Sequence, residues 1–457
     1  MFTTVSKIHF VGIGGIGMSG IAEILLSQGF EISGSDLTPS ENTEYLKSLG
    51  ARVVIGHSED NIASAEVVVY SSAVRPEDNP ETAAALRKGI PVIRRAEMLA
   101  EVARLNYSLA VSGTHGKTTT TSMMGLLLIK GGFDPTVIVG GRLKDFGGTN
   151  ARLGEGEWTV VEADEFDRSF LQLTPTIAVI NNIEPEHLDI YKDFDDLKDS
   201  FVRFASQVPF YGIVVVGLDD PGVKEILSRI NKKVVTFGMS PHCDVRAEEI
   251  SLNESVTECT IFHGRERLGR LRINVPGEHN LKNALASVAV GLQLDMDFDT
   301  IAAALGEFTG IYRRFDIKGE HRGIMVVDDY AHHPSEVKAT LDAARRAWKR
   351  RIVCVFQPHT FTRTRDFYRD FGRSFDSADV LVVTDVYPAR EKPIEGVDGR
   401  LIADAAAGYG HRNVNYVPDF DRLTGEVLPM LEEGDMVITL GAGSIWRIAE
   451  EINNELK

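Results

Sequence analysis

The sequence SGTHGKTT, at residues 112–119, decides the fold of this chain and is called the phosphate loop below. An apolar run at 108–112 leads into it, and a helical pattern begins at Thr118. A glycine-containing loop between a buried strand and a helix places backbone N–H groups where they can surround a phosphate. The stretch therefore predicts a nucleotide site at the edge of a parallel α/β sheet.

The end of the phosphate loop, Gly116-Lys117-Thr118, matches the pattern G-x-x-x-x-G-K-[ST]. In that pattern the lysine reaches the β- and γ-phosphates and the hydroxyl binds Mg²⁺. The match is incomplete, because Val111 occupies the position of the first glycine and Gly113 comes two residues later. We therefore predict a shortened loop in which Lys117 and Thr118 keep their usual roles.

A second glycine cluster follows the apolar run at 7–13. Gly12, Gly14 and Gly17 fit G-x-G-x-x-G, and Asp36 ends the next predicted strand. This context favours a phosphate on a helix N-terminus. The pattern does not separate NAD from another nucleotide diphosphate, so an NAD(P)-dependent oxidoreductase is one alternative.

Strands and helices alternate along the whole chain, which predicts the α/β class. We expect three consecutive α/β domains. Residues 1–105 form a Rossmann-like N-terminal domain. Residues 106–312 form a central P-loop ATPase domain with added antiparallel strands between 244 and 275. Residues 313–457 form a Rossmann-like C-terminal domain.

Composition excludes several classes of protein. With 49 Lys+Arg against 66 Asp+Glu, the net charge of −17 argues against binding to nucleic acid. Apolar runs such as Val67–Tyr70 fall far short of the roughly 18–20 residues that cross a bilayer, and no secretory signal is visible. The three scattered cysteines suit neither a disulfide framework nor a zinc site, so we expect a cytoplasmic protein without membrane insertion.

Polar clusters follow buried strands in all three segments, where open α/β sheets bind ligands. Those that follow strands are 71–72, 94–95, 162–165, 181–189, 328–334, 357–365 and 441–444. Two further clusters lie elsewhere: 277–284 opens a helix, and 313–315 lies at the second predicted domain boundary. In this order they resemble those of the Mur ligases, the ATP-dependent amide-bond ligases of bacterial cell-wall precursor synthesis. The resemblance covers essentially the whole chain.

The resemblance implies an activity. The chain would use ATP and one or two Mg²⁺ ions to join L-alanine to the lactyl carboxylate of UDP-N-acetylmuramate through an acyl phosphate. A ligase that recycles murein tripeptide onto the same UDP-sugar is the nearer alternative. The GAGSIW sequence at 441–446 favours alanine as the amine.

The resemblance also implies a role for each matching residue. The residues that would bind the UDP-sugar are Gly12, Gly14, Gly15, Gly17, Asp36, Ser72 and Arg94. Those that would bind ATP are Gly113, Thr114, His115, Gly116, Lys117, Thr118, Thr119, Asn280 at adenine, Asp329 at ribose and Arg313 at the γ-phosphate. The metal ligands would be Thr118, Glu162 and His187, and the amino-acid pocket would contain Tyr330, His332, His359 and Arg363. The catalytic set would be Lys117, Glu162, His187, His332 and Arg363.

Several positions depart from the family's usual pattern, among them Phe166 and Arg168, which replace smaller residues after Glu165. Thr360 stands where an arginine is common in relatives, which leaves Arg363 as the best-placed cation for the amino acid's carboxylate. Several sister ligases carry a carbamoylated lysine about fifteen residues after the His187 position, and the residues around Val202 offer none. For the base that the amine requires, His332 is the first candidate and His359 the second.

Overall fold

The structure is a computed structural model that describes residues 5–62, 64–71, 74–104, 106–141, 150–186, 190–389 and 391–457. Within these ranges no helix combines the length and apolar character needed to cross a membrane. The chain forms two compact units. The first comprises the described parts of Met1–Glu248, Thr260–Leu271 and Lys282–Phe308, and the second comprises those of Glu249–Cys259, Arg272–Leu281 and Thr309–Lys457. The boundaries predicted after 105 and 312 stay predictions.

The first unit begins with a parallel sheet. Its elements are β1 (Lys7–Val11), α1 (Ile16–Ser27), β2 (Glu31–Asp36), α2 (Glu41–Ser48), β3 (Arg52–Ile55), a 3₁₀ helix (Glu59–Ile62), β4 (Val67–Tyr70), α3 (Pro80–Arg87), β5 (Val92–Arg94) and α4 (Arg95–Ala103). The strand order is β3-β2-β1-β4-β5, and all neighbours are parallel. The order reverses beside β1, and ligands bind at such switch points in open sheets. The glycine cluster that follows β1 therefore lies at the expected position.

Ten described strands form the second sheet. Its elements are β6 (Tyr107–Ser112), α5 (Lys117–Lys130), β7 (Thr136–Ile138), β8 (Ala151–Arg152), β9 (Trp158–Glu162), a 3₁₀ helix (Phe166–Gln172), β10 (Ile177–Ile180), α6 (Phe194–Ser206), β11 (Ile213–Gly217), α7 (Pro221–Leu227), β12 (Val234–Gly238), β13 (Val245–Asn253), β14 (Val256–His263), β15 (Glu266–Ile273), α8 (Glu278–Gln293) and α9 (Phe298–Gly306). The strand order is β15-β14-β13-β12-β11-β10-β6-β9-β7-β8.

The strand that precedes the phosphate loop, β6, lies inside this sheet. It pairs in parallel with β10 on one side and β9 on the other, and Leu109, Ala110 and Val111 are fully buried. At the far edge, two-residue connections join β13 to β14 and β14 to β15. Connections this short join only antiparallel neighbours, in agreement with the antiparallel strands predicted between 244 and 275.

The third sheet belongs to the second unit. Its elements are β16 (Asp316–His321), β17 (Ile324–Asp329), α10 (Pro334–Ala347), β18 (Ile352–Phe356), α11 (Phe361–Gly372), β19 (Val380–Val383), α12 (Gly399–Gly408), β20 (Val414–Tyr416), a 3₁₀ helix (Phe420–Arg422), α13 (Leu423–Val427), a 3₁₀ helix (Leu428–Met430), β21 (Met436–Leu440) and α14 (Trp446–Glu455). The order is β16-β17-β21-β18-β19-β20, parallel except for β16. Three sheets of this kind confirm the predicted α/β class.

Candidate active site

The phosphate loop turns sharply between β6 and α5. Gly113 and Gly116 have φ angles of +133° and +80°, in the left-handed region that glycine adopts without strain. A Cβ atom on Gly116 would lie 2.4 Å from Oδ1 of Asn283 and 3.2 Å from Nδ2 of Asn181. The turn therefore requires glycine, and it aims the first amides of α5 at a position that favours an anion.

A second loop, at 181–184, holds the phosphate loop in place. The amide of His115 donates to Oδ1 of Asn182 at 2.8 Å, and Nδ2 of Asn182 donates to the His115 carbonyl at 3.1 Å. The amide of Glu184 donates to Oγ1 of Thr114 at 2.9 Å. These contacts form because β6 and β10 are parallel neighbours whose carboxyl ends meet at one edge. Thr119 is buried in the first turn of α5, so its predicted contact with ATP stays a prediction.

Lys117 lies against a buried carboxylate. Its Nζ donates to the two carboxylate oxygens of Glu165 at 2.9 and 2.8 Å, and to the Gly113 carbonyl at 2.8 Å. The side chain of Glu165 is 0% exposed and that of Lys117 is 13% exposed. Burial disfavours the ammonium ion, but the carboxylates around Lys117, first Glu165 and then Asp164, outweigh burial and hold its pKa above the usual value. Lys117 is therefore charged.

The predicted metal ligands Thr118 and Glu162 lie together. Oγ1 of Thr118 is 3.1 Å from each carboxylate oxygen of Glu162, and the amide of Gly140 also donates to Glu162, at 2.7 Å. Neighbouring oxygens in an octahedral Mg²⁺ shell are separated by about 3 Å, since each lies about 2.1 Å from the ion. The hydroxyl–carboxylate pair therefore fits Mg²⁺. The third predicted ligand, His187, lies outside the described residues.

The first glycine cluster packs against Asp36 and is hydrogen-bonded to it. The amide of Gly14 donates to Oδ2 of Asp36 at 2.8 Å, and a Cβ atom on Gly14 would lie 2.9 Å from the same oxygen. Gly12 has a φ of +81°, and its amide donates to the Ser35 carbonyl at 2.8 Å. Gly15 is exposed at the N-cap of α1. Asp36 thus supports the loop, and its predicted contact with the UDP-sugar stays a prediction.

A cavity of about 240 Å³ is lined by residues of α4 and of the 3₁₀ helix at 166–172. Its lining includes four arginines, Arg75, Arg94, Arg95 and Arg168, and two acids, Glu97 and Asp167. The excess of positive charge makes the cavity suited to an anionic ligand. Arg94 donates to the hydroxyl of Tyr70 at 3.3 Å. Arg95 contacts the glycine cluster, because a Cβ atom on Gly17 would lie 2.8 Å from its Nη1. The predicted Ser72 lies outside the described residues.

In the second unit, Asp329 at the end of β17 is hydrogen-bonded to the segment at 313–315. Its Oδ2 accepts from the amide of Phe315 at 2.6 Å, and its Oδ1 accepts from the amide of Ala331 at 2.8 Å and from Oγ1 of Thr340 at 3.3 Å. Burial raises the pKa of Asp329 to about 6. Its predicted contact with the ribose of ATP stays a prediction.

Arg313 is bound by three residues of the second unit. Its Nε donates to Oδ2 of Asp328 at 3.2 Å, its Nη2 donates to the Gly441 carbonyl at 2.6 Å, and its guanidinium lies 4.9 Å from the Tyr330 ring centre.

Asn280 is buried, and its Nδ2 donates to the carbonyl of Pro276 at 2.7 Å. The predicted contacts of Arg313 and Asn280 with ATP stay predictions.

The four residues predicted to bind the amino acid lie together at the carboxyl ends of β17 and β18. The ring centres of Tyr330 and His332 are 5.3 Å apart, and those of His332 and His359 are 5.8 Å apart. Nη1 of Arg363 is 3.4 Å from Nδ1 of His359. The structure thus brings two imidazoles and a guanidinium within reach of one small ligand.

Hydrogen bonding fixes which nitrogen of His332 can take a proton. Its Nδ1 lies 3.0 Å from the carbonyl oxygen of Tyr330. A carbonyl only accepts, so Nδ1 carries the hydrogen and the neutral ring has its lone pair on Nε2. Oε2 of Glu336 lies 3.3 Å from the same Nδ1 and would stabilise the ring once it is protonated. His332 therefore fits a base that acts through Nε2.

His359 has a different chemistry. Burial lowers the pKa of His359 to about 3, and the charge of Arg363, together with that of His332 when protonated, lowers the pKa in the same direction. Its ring is neutral near pH 7, and its Nδ1 accepts the hydrogen bond from Arg363, because a guanidinium only donates. His359 is thus suited to orienting Arg363 rather than to holding a proton.

The turn that carries these groups is strained. Thr360, the N-cap of α11, has φ and ψ of 68° and 144°, a region unfavourable for a β-branched residue. Its amide donates to the Tyr387 carbonyl at 2.9 Å. Glu391 accepts from the amide of Thr362 at 2.9 Å and from its hydroxyl. Strain of this kind persists where surrounding contacts enforce it, typically at functional sites.

Sequence reasoning missed several residues that shape these sites. The sequence singles out Glu165 only as one of a cluster of acids, and Arg95 only as a neighbour of Arg94. Asn283 lay inside a quoted cluster without a role of its own. Glu391 gave no signal, because it follows Thr362 by 29 residues. Polar residues at the carboxyl ends of strands were the signal that could have found Glu165 and Arg95. Asn283 lies inside α8, and no strand end points to it.

Models of the Mur ligase family match three successive parts of the chain. The matches are the catalytic domain of the family at residues 7–107, the middle domain at 111–291 and the glutamate ligase domain at 313–443. Together they cover most of the sequence.

Full-length relatives are similar to the chain throughout. The UDP-N-acetylmuramate–L-alanine ligase of Geotalea uraniireducens is 50% identical over 457 residues, covering 100% of this chain and 99% of the relative. That of Syntrophotalea carbinolica is 52% identical over 452 residues, covering 99% and 98%. The crystal structure of a UDP-N-acetylmuramate–alanine ligase from Thermotoga maritima superimposes with a TM-score of 0.84 at 30% identity, covering 98% of each chain. A murein peptide ligase from Psychrobacter arcticus shares the fold, with a TM-score of 0.72 at 23% identity over 99% of this chain and 98% of that one.

Proposed function

The chain belongs to the Mur ligase family, and from that membership we propose that it joins L-alanine to the lactyl carboxylate of UDP-N-acetylmuramate with the hydrolysis of ATP to ADP and phosphate. This reaction belongs to the synthesis of peptidoglycan precursors. The observation that carries the proposal is the identity of about half of all residues, over the full length, with L-alanine ligases. With the ligase family shown, the oxidoreductase alternative is not retained.

Formation of an amide from a carboxylate requires an activated acyl group, and ATP supplies it by phosphorylating the lactyl carboxylate. This step brings an anionic nucleophile to an anionic γ-phosphate. Lys117, charged and fixed at the start of α5, offsets that repulsion and stabilises the charge that develops during transfer. The glycine cluster at 12–17 and the arginine-lined cavity beside α4 are suited to the diphosphate and the sugar.

In the second step the alanine amine attacks the acyl phosphate, and phosphate leaves as the amide forms. The amine must be neutral to attack, so a proton has to be removed from the ammonium form. The lone pair on Nε2 of His332 is suited to that role. Arg363, oriented by His359, is suited to the carboxylate of the amino acid.

We further propose that Thr118 and Glu162 hold Mg²⁺ beside the nucleotide. When bound, Mg²⁺ neutralises phosphate charge and polarises the transferred group. The support is the pair of oxygen ligands at 3.1 Å, the separation that an octahedral shell requires.

Replacing Glu162 by glutamine should raise the Mg²⁺ concentration needed for half-maximal activity by about tenfold or more, because an amide lacks the charge that holds the ion. Titration of activity with Mg²⁺ at saturating ATP measures this. Asp134→Asn serves as a control, because Asp134 pairs with Arg152 away from the phosphate loop. An unchanged Mg²⁺ requirement in Glu162→Gln would remove Glu162 from the metal site.

Replacing His332 by asparagine should lower kcat with alanine by about 10²-fold or more, the usual contribution of a positioned base. Hydroxylamine tests the role directly, because it is neutral near pH 7 and attacks an acyl phosphate without such a base. We expect the variant to form the hydroxamate at close to the wild-type rate. Equal losses with alanine and with hydroxylamine would assign His332 to formation of the acyl phosphate instead.

The proposed reaction is tested by phosphate release from ATP in the presence of UDP-N-acetylmuramate and one amine at a time. Alanine should support release, and ATP with either partner alone should not. A preference for murein tripeptide over alanine would instead assign the chain to precursor recycling. The three cysteines are free, as is usual in a reducing compartment. We therefore propose that the reaction takes place in the cytoplasm.

A further inference from the structure

A buried carboxylate lies beneath the first glycine cluster and belongs to none of the predicted sites. Glu81, in the first turn of α3, is 0% exposed. Its Oε1 accepts from Nδ2 of Asn61 at 2.5 Å and from the amide of Ser58 at 3.3 Å. Its Oε2 accepts from the hydroxyl of Ser35 at 2.5 Å. A fully buried acid with partners on both oxygens is a specific arrangement, because each missing partner would be costly.

Two histidines complete the surroundings of this carboxylate. Nδ1 of His57 lies 2.9 Å from Oγ of Ser35 and 3.3 Å from Oε2 of Glu81. Since Ser35 gives its one hydrogen to Glu81, Nδ1 of His57 must be a donor. Nε2 of His9, which is 1% exposed, lies 3.6 Å from the same Oε2. Burial raises the pKa of Glu81, yet the nearby imidazole of His9 and the hydrogen bonds from Ser35 and Asn61 outweigh burial and hold the pKa at about 2.

Ser35 connects this carboxylate to the glycine cluster. Its side chain donates to Glu81, while its main-chain carbonyl accepts from the amides of Gly12 and Ile13 at 2.8 and 3.0 Å. The next residue, Asp36, accepts from the amide of Gly14. The carboxyl end of β2 therefore positions three consecutive backbone amides of the loop, those of residues 12–14. Glu81, which is buried in the core, holds that end of β2 in place.

We propose that Glu81 is a positioning residue for the UDP-sugar, acting through Ser35 on the amides of the loop at 12–14. The inference rests on the proposed function, because it assigns the UDP-sugar to this loop. The route is Glu81 to the Ser35 side chain, then the Ser35 carbonyl to Gly12 and Ile13. His57 and Asn61 orient the carboxylate.

The test compares substrates within one variant. Glu81→Gln places an NH₂ group where only acceptors fit, so we expect the Kd of UDP-N-acetylmuramate to rise by about tenfold or more. The Kd of ATP should not change, because its loop lies on another sheet. A merely structural weakening would affect both ligands or neither. Isothermal titration of each ligand, with KM and kcat beside it, gives the comparison.

A second variant and a control keep the test decisive. Ser35→Ala removes the link and leaves the carboxylate with its other partners, so it should weaken UDP-N-acetylmuramate alone, even if Glu81→Gln does not fold. The double variant should lose less than the product of the two single losses. Glu66→Gln is the matched control, because Glu66 accepts from the amides of Ser6 and Lys7 at the opposite end of β1.

The inference is overturned if Glu81→Gln and Ser35→Ala bind UDP-N-acetylmuramate as tightly as the wild type, or if Glu66→Gln weakens binding equally. Failure of the proposed function is a different result. In that case the wild-type protein itself would bind UDP-N-acetylmuramate no better than it binds a plain hexose.

Discussion

Replacement of Lys117 by methionine is expected to lower kcat by on the order of 10³-fold or more, since a charge-assisted contact to a transferring phosphoryl group is lost. The variant should also be less stable. Glu165 would remain buried without its cation, and breaking one side of a buried pair typically destabilises by about 3–5 kcal/mol. Turnover alone would therefore confuse catalysis with folding.

The double variant Lys117→Met/Glu165→Gln separates the two effects. It removes both charges, so thermal stability should return toward that of the wild type while activity stays lost. Lys130→Met is the control, because Lys130 lies at the other end of α5 and pairs with Glu307. Stability is followed by calorimetry and activity by ADP release. Near-normal turnover in the folded double variant would refute the role of Lys117.

Replacement of Arg363 by lysine is expected to raise the KM for alanine by about 10- to 100-fold while changing the KM for ATP little. A guanidinium forms two parallel hydrogen bonds with a carboxylate, and an ammonium cannot reproduce that geometry. The orientation that His359 imposes on Arg363 is lost as well. Steady-state kinetics with each substrate varied in turn give both constants.

Alaninamide sharpens this second prediction, because it has the amine of alanine without the carboxylate. The wild type should strongly prefer alanine to alaninamide, and Arg363→Lys should lose most of that preference. Arg365→Lys is the control from the same helix, since Arg365 is paired with its neighbour Asp366 at 2.7 Å. If Arg363→Lys retained the full preference for alanine, another group would hold the carboxylate.

The sequence allowed much of the fold to be predicted, because the decisive signals are local. At both glycine clusters a strand, a glycine turn and a helix follow one another. A few residues were therefore enough to predict that each loop lies at the carboxyl end of a parallel strand. β16 was missed because its sequence, DIKGEH, has little β-forming character and forms an edge strand through pairing with β17. The polar cluster at 328–334 was expected to begin after the strand, but β17 continues through Asp329, because Asp328 is paired with Arg313 and Thr439.

The parts of the site that depend on distant residues were not predictable from pattern. Thr118 and Glu162 were both proposed as metal ligands, but their contact spans 44 residues of sequence. Glu165, 48 residues from Lys117, carries no signal that it pairs with a lysine rather than with water. The carboxylate of Glu81 meets groups from three other elements, and only tertiary packing brings those together.

The ion pair between Lys117 and Glu165 has a consequence for the end of each turnover. A nucleotide phosphate that binds Lys117 must replace Glu165 as its partner. The binding free energy therefore contains only the difference between the new ion pair and the old one. The same exchange runs in reverse once the amide has formed. Glu165 then competes with ADP for the lysine, and a carboxylate already in position shortens the time for which a spent product occupies the loop.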